Sequence, residues 1–368
     1  MANVSEIRAP QASALLEALA AARPALDELG RLYGWLIGDW NVALTDHLPD
    51  GTRCLGSGEW HFGWVLGGWA MQDVWISPRR GERPPAGEAP GPRNRYGTTI
   101  RLFDPAIDAW HVTWINPAQN YVAHLTGRAR GRDIVQEGTG PNGERLRWTF
   151  SDITTNRFRW VGEVSLDSGR SWRMTQEMSA LRAPASAEAP LGAASNLMDA
   201  LLAAPPSGAE PDGPGLFAPL VGSWEGTLAV RNPDGAWTMS AGALHFDWVL
   251  ESRAIEDIWI FPDRTTTPRS TPPDGPDAYV RCFNPGTRTW SIIRVSPANH
   301  AISMHQARAD GDEIFVEGTT PEGHLQRWIF SDITGDAFRW RNILSRDHGR
   351  TWQVMDRVSA RRMGGLAL

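Results

Sequence analysis

The sequence predicts an all-β chain, two antiparallel β-barrels or sandwiches in tandem behind an N-terminal helical segment. Three observations carry that expectation. First, the chain repeats itself: LIGDW around Gly38 returns as LVGSW around Gly222, WTFSDIT from Trp148 as WIFSDIT from Trp328, and SLDSGRSW from Ser165 as SRDHGRTW from Ser345. A repeat of that length is a duplicated domain and not a solenoid unit. Second, short apolar runs follow one another within each copy with turn residues between them, which reads as sequential strands with few helices. Third, 14 of the 19 tryptophans form seven pairs in fixed register. An offset of 184 carries Trp40, Trp64 and Trp75 to Trp224, Trp248 and Trp259, and an offset of 180 carries Trp110, Trp148, Trp160 and Trp172 to Trp290, Trp328, Trp340 and Trp352.

The elements follow in order. Residues 1–36 form a helical cap, because Leu15, Leu16, Leu19, Leu26, Leu29 and Leu32 recur at helical spacing, and Pro24 divides or kinks the stretch. Residues 37–182 are the first β-domain, with turns at LPDG from Leu48 and GPNGE from Gly140. Residues 183–215 are a linker rich in Ala, Pro and Gly, with a short helical patch at Leu197–Leu202. Residues 216–363 are the second β-domain, with matching turns at NPDG from Asn232 and TPEGH from Thr320. Stretches rich in Pro and Gly at 78–95 and 262–277 occupy equivalent places and read as long mobile loops or lids.

Composition narrows the function. A net charge of −6 gives no electrostatic support for a nucleic-acid partner. Cys54 and Cys282 do not match in the repeat, so no disulfide framework is implied, and a reducing, cytoplasmic setting is expected. Glu17 and Arg23 interrupt the N-terminal Ala/Leu stretch, which argues against a signal peptide, and no segment approaches a membrane span. No His pair has metal-ligand spacing, no Cys–His cluster exists, and no dinucleotide, P-loop or G-x-S-x-G motif is present. The expectation is therefore a protein without metal or cofactor.

Gly-x-Trp on the first strand after a short helix resembles the calycin signature of lipocalin-like barrels, in which the Trp packs at the closed end against a basic residue of the last strand. Arg182 and Arg362 stand at the matching positions. The wider pattern, L-x-G-x-W, F-x-W-V-L, D-[VI]-W, F-S-D-I-T and S-x-D-x-G-x-x-W, is similar to uncharacterised bacterial lipocalin-like families. The resemblance implies two tandem lipocalin-like antiparallel barrels. The two-barrel layout resembles lipocalin-like proteins that act as cofactor-free cyclases and hydratases, which implies a small hydrophobic ligand and a cyclisation, isomerisation or hydration in a biosynthetic pathway. The same cavity would equally serve a carrier or sensor. A haem-binding barrel resembling nitrobindin would need one proximal His, for which His124, His300 and His305 are candidates. A third reading is structural, one barrel stabilising the other and presenting a homodimer face.

Candidate site residues follow from strand alternation. Trp69, Met71, Asp73 and Trp75 share one face of a strand, and Trp110, Val112 and Trp114 one face of the next. In the second copy Arg253, Asp257 and Trp259 share the first face, and Trp290 and Arg294 the second. If these faces look inward, the first copy has an aromatic box around Asp73, with Trp60, Trp64 and His124 contributing. The second has a basic box around Asp257, suited to a carboxylate or phosphate unless its Arg residues pair with neighbouring acids. Asp73 is either a paired structural carboxylate or an acid for catalysis. Glu137 faces Arg147 across a hairpin, as Glu317 faces Arg327: a salt bridge first, a general acid oriented by Arg147 second. S-x-D-x-G-x-[ST]-W is read as a hairpin turn in which Asp167 bonds the backbone, Gly169 supplies positive φ and the Trp packs beneath.

Overall fold

A computed structural model describes residues 8–21, 23–83, 94–184, 196–203, 215–261 and 276–364. The loops expected at 78–95 and 262–277 lie largely outside the described residues, as does most of the 183–215 linker; the helical patch within it is the helix Leu197–Leu201. The chain divides into two compact units, Ala20–Glu210, and Met1–Leu19 together with Pro211–Leu368.

Each unit contains one closed antiparallel barrel of ten strands. In the first barrel the strands are Gly38–His47, Arg53–Val65, Ala70–Ser77, Arg95–Asp104, Ala109–Asn116, Tyr121–Arg130, Asp133–Thr139, Arg145–Ser151, Arg157–Ser165 and Arg173–Arg182. Each pairs with the next, and the last returns to the first, with Met178 opposite Leu44 and Arg182 opposite Trp40. The second barrel runs from Gly222–Arg231 to Gln353–Arg362 in the same order and closes with Arg362 opposite Trp224. Among the described residues closure leaves as a sheet edge the two-residue strand Ala20–Ala21, paired with Trp64 and Val65. The two barrels even share an irregularity, a register shift at Gly162/Glu163 and at Asn342/Ile343.

The helical cap is divided at Pro24 and its neighbours. Helix Arg8–Leu19 packs against the second-barrel strands Trp237–Val249 and Ala254–Ile260 and buries Leu15, Ala18 and Leu19. Helix Asp27–Tyr33 and the 3-10 turn Gly34–Leu36 belong to the first unit, where Leu29, Tyr33 and Leu36 join the barrel core.

The closed end of each barrel is built around the first-strand Trp. Trp40 is buried, its Nε1 donates to the Leu36 carbonyl at 2.7 Å, and the Arg182 guanidinium lies 4.1 Å over its ring. Arg182 also donates to the carbonyls of Ile37 and Trp35 at 2.8 and 2.7 Å. Trp224, Leu220 and Arg362 repeat this arrangement, with the same 2.7 Å and 4.1 Å separations. The Arg therefore ties the last strand to the backbone that enters the first. The motif beginning at Ser165 is a turn: Asp167 accepts from the Ser171 backbone and hydroxyl at 2.9 and 2.7 Å, Gly169 has φ 93°, and Trp172 stacks 3.9 Å under Arg147. Asp347, Gly349 and Trp352 under Arg327 do the same in the second barrel.

Candidate functional site

Strand alternation points Trp60, Phe62, Asp73, Trp75, Arg101, Trp114, Trp148 and Trp160 into the first barrel. The lower half of the interior is filled. Tyr33, Trp40, Phe150 and Phe158 pack there edge to face, with ring centroids 4.7 Å apart for Trp40 and Phe158 and 6.4 Å for Tyr33 and Phe150. The upper half encloses a cavity of about 350 Å³, within the range of small-molecule sites. Five indoles wall it, Trp60, Trp75, Trp114, Trp148 and Trp160, with Leu146 and Met178 between them.

Glycines let the rings lie against the wall. A Cβ on Gly97 would stand 2.6 Å from Trp114 Cη2, and one on Gly162 would stand 2.6 Å from Trp160 Cη2; Trp75 covers Gly58 in the same way. Polar groups around the indoles mostly satisfy one another. Arg95 and Gln176 both bond Asp46, at 2.9 and 2.7 Å, and the Tyr121 hydroxyl donates to Glu144 at 3.2 Å. Burial, reinforced by the Glu144 carboxylate, pushes the Tyr121 hydroxyl well above its ordinary range. Trp75 Nε1 and Gln136 Oε1 are buried in the cavity wall without a hydrogen-bond partner.

Beneath the indoles lies a buried ion pair. Asp73 is fully buried and in contact with Arg101, which is 2 % exposed and reaches the cavity floor. Burial pushes the Asp73 carboxyl above its usual range, and the Arg101 guanidinium pulls against it. Arg101 also lies over the Tyr33 and Phe62 rings. The second barrel repeats the pair: Arg281 Nη2 donates to Asp257 Oδ2 at 2.8 Å, and Trp259 Nε1 donates to the same oxygen at 2.8 Å. One linked exchange accompanies it. Gln136 donates to the Tyr33 hydroxyl at 2.9 Å in the first barrel, and Val316 and Phe217 occupy the matching positions in the second. Removing both partners together leaves no buried polar orphan.

The second barrel encloses a smaller cavity of about 280 Å³ with a different lining. Trp259, Trp328 and Trp340 remain. In place of Gly97, Trp114, Leu146, Gly162 and Gln176 stand Asp277, Arg294, Gln326, Asn342 and Asp356. Arg294 Nε donates to Asp277 Oδ2 at 2.8 Å and its Nη2 reaches the same oxygen, so the ring-over-glycine pair of one barrel is an ion pair in the other.

Two closed ten-stranded barrels, each with an Arg of the last strand laid over the Gly-x-Trp of the first, decide the fold. The chain is a tandem of lipocalin-like barrels. No model of a known protein family matches the chain, and no curated protein does. Solved structures do, at low identity. Rv2717c from M. tuberculosis is 12 % identical over 42 % of this chain and 98 % of its own, with a TM-score of 0.32. The S-type phycobiliprotein lyase CPES from Guillardia theta is 10 % identical over 44 % of this chain and 98 % of its own, with a TM-score of 0.30. A DUF3598-family protein of unknown function from Nostoc punctiforme is 11 % identical over 90 % of this chain and 97 % of its own, with a TM-score of 0.24.

The lipocalin-like cavity gathers only some of the residues expected from sequence. Trp60, Trp75 and Trp114 line it in the first barrel, and Arg294 lines the other. Trp64, Met71 and Trp110 face inward but are packed into the core, and Trp69 precedes its strand at the end of the turn Leu66–Gly68, half-buried against that core. Asp73 and Asp257 are sealed beneath the cavities by Arg101 and Arg281, which corrects their expected place on the wall. Glu137 and Arg147 lie on the outer face of the barrel, bonded at 2.9 Å and part-exposed, so their position excludes work inside it. His124 also points outward, bonded to Thr113 at 2.8 Å and stacked on His111. Arg253 sits in the turn after Leu250, Glu251 and Ser252, outside the second cavity. Of the other haem candidates, His300 ends the 3-10 turn Pro297–Asn299, and His305 is wedged between Trp328, 4.1 Å away, and Gly318. Among the described residues no three His, Cys, Asp or Glu side chains form a metal site, and no helix is long and apolar enough to cross a membrane. Sequence reading did not name Trp148 and Trp160 as lining; their alternation with Phe150 and Phe158 was the available signal. Arg101 and Asp356 carried no motif.

Proposed function

We propose that the first barrel binds a small, flat, largely apolar molecule between its indoles, and that holding this ligand is the function of the protein. The observation that carries the reading is the cavity of about 350 Å³ walled by five tryptophans, whose polar surroundings bond chiefly to one another. Indole faces attract apolar rings and polyenes by dispersion and attract positive charge through the quadrupole. With most of its charged neighbours already bonded, the cavity offers ring faces first and unpaired polar atoms, Trp75 Nε1, Asn116 Oδ1 and Gln136 Oε1 among them, to orient the ligand.

A second reading is catalytic: a cofactor-independent cyclisation, isomerisation or hydration of the bound molecule. Tyr121 and Glu144 favour it, since they place a proton donor and a carboxylate at 3.2 Å on the wall itself. The rest of the mechanism would be positioning, the ligand held by ring faces in a reactive conformation.

The neutral fluorescent probe N-phenylnaphthylamine tests binding. Wild type should bind it saturably, and Trp114→Ala or Trp148→Ala should weaken it about tenfold, the loss of one ring contact of roughly 1 kcal/mol or more. Unchanged affinity in both variants refutes the site. Native mass spectrometry of protein purified from its own host separates the two readings: an intact retained metabolite favours a carrier or sensor. Conversion of that metabolite by wild type but not by Glu144→Gln favours an enzyme.

A further inference from the structure

The second lipocalin-like cavity differs from the first in kind. We propose that it is a separate ligand site, built for a small neutral molecule rich in hydroxyl groups, of about monosaccharide size. The case rests on which positions changed and on how they are connected. Five lining positions have exchanged small, apolar or amide residues for Asp277, Arg294, Gln326, Asn342 and Asp356. Three of these form a wired row: Gln326 Nε2 donates to Asn342 Oδ1 at 3.0 Å, and Asn342 Nδ2 donates to Asp356 Oδ2 at 2.7 Å. Their counterparts are Leu146, Gly162 and Gln176, and two of those three cannot make such a row. A barrel interior gains nothing in stability from polar groups at positions that its twin fills with apolar ones. A row of this kind on a cavity wall therefore points to a ligand.

Charge selects the class. Arg294 lies in the cavity, but its Nε and Nη2 are both committed to Asp277, so among the described lining residues no unpaired cation waits for a carboxylate or phosphate. Asp356 adds a second carboxyl, held by a neutral amide, which would repel an anion. Burial pushes that carboxyl above its ordinary range, with Asn342 and Arg294 opposing. For a cation, Asp277 is already engaged by Arg294, and Asp356 is the carboxyl that remains, bonded by the Asn342 amide. What remains matches a polyol: donors and acceptors on one wall, and Trp328 and Trp340 as platforms for apolar C–H faces. Trp340 Nε1, buried and without a partner, is one more donor for a hydroxyl oxygen. The anionic ligand that Arg253 and Arg294 implied from sequence is set aside, because Arg253 is not in the cavity and Arg294 is paired.

The test uses the full-length protein and four probes, glucose, galactose, myo-inositol and N-acetylglucosamine, each followed by ligand-observed NMR, with acetate and inorganic phosphate as anionic controls. At least one polyol should bind saturably below about 50 mM, as millimolar sugar affinities require. Asn342→Gly, which installs the residue the first barrel carries there, should weaken it at least tenfold. Trp114→Ala in the other barrel should leave it unchanged, which separates this site from the first-barrel reading. No saturable polyol binding, equal binding by Asn342→Gly, or tighter binding of either anion overturns the proposal. Asp356→Gln, again a residue the first barrel uses, guards against a folding artefact: a folded Asp356→Gln protein that binds the polyol like wild type also overturns it.

Discussion

At the scale of single residues, the buried ion pairs organise each barrel. Asp73 and Arg101, like Asp257 and Arg281, are held where an isolated charge is expensive, so each partner is stable only with the other. Arg101→Met should destabilise the first barrel by about 3–5 kcal/mol, the cost of leaving one buried carboxylate unpaired. The double variant Arg101→Met with Asp73→Leu should recover most of that loss, and urea unfolding of it and of the two single variants, Arg101→Met and Asp73→Leu, measures both numbers. Full additivity would show that the pair is not coupled. The sequence displayed Asp73 and Asp257 as acids between apolar neighbours, which is why they read as either structural or catalytic. It gave no sign of the partner, because Arg101 lies on the next strand and only the register, Met71 opposite Arg101, brings the two strands together. Glu137 and Arg147 were legible as a pair, since both lie on the strands of one hairpin. Which face they occupied was not, because alternation gives two faces without saying which is inside.

At the scale of elements, the wall of each cavity is set by ring–glycine and acid–base pairings between neighbouring strands. Gly97 and Trp114 form one such unit and Asp277 with Arg294 its counterpart. Gly97→Ala should cost about 1–3 kcal/mol, because the new methyl meets Trp114 and the Ile115 carbonyl within 2.6 Å. Gly97→Asp alone should cost more, and Gly97→Asp together with Trp114→Arg less than the sum of the two. A double-mutant cycle by chemical denaturation checks this, and a coupling indistinguishable from zero would sink the idea. The turn after Val65 gives a second example. Gly68 has φ 91° and the Arg23 carbonyl lies against it, so Gly68→Ala should destabilise by at least 1 kcal/mol in the same assay. Helices and turns were read closely from sequence because Pro24, LPDG and GPNGE act locally. Trp148 and Trp160 were seen, but their place in the cavity depends on all ten strands closing.

At the scale of the whole molecule, the histidines set a direction for pH dependence. Burial, aided by His111, lowers the pKa of His124 to about 4, and burial with the Arg294 charge does the same for His305. Both stay neutral in the folded chain while the unfolded chain takes up protons below about pH 6.5. Their contribution is therefore present above that pH and lost as pH falls toward about 4. His61 runs the other way: burial lowers its pKa, but Asp39 at 2.7 Å and Glu59 outweigh it, so its contribution is full below about pH 6.5 and fades as pH rises beyond the raised folded value. Urea midpoints should fall between about pH 7 and pH 5, and His305→Leu, which restores the first barrel's Leu125 residue type, should flatten the slope by on the order of 1–2 kcal/mol. An unchanged slope would count against the burial of His305. The two-barrel plan was legible from the repeat alone, because seven tryptophan pairs keep their register across the duplication. The Gly97–Trp114 unit adds a historical constraint to that plan. A side chain under the ring is costly, so an aspartate at Gly97 is disfavoured while Trp114 remains, as Asp277 would be beneath a tryptophan at 294. Whichever copy is older, the favoured order of descent keeps glycine until the ring has gone, and a reconstructed ancestor should lack the pairing of aspartate with tryptophan.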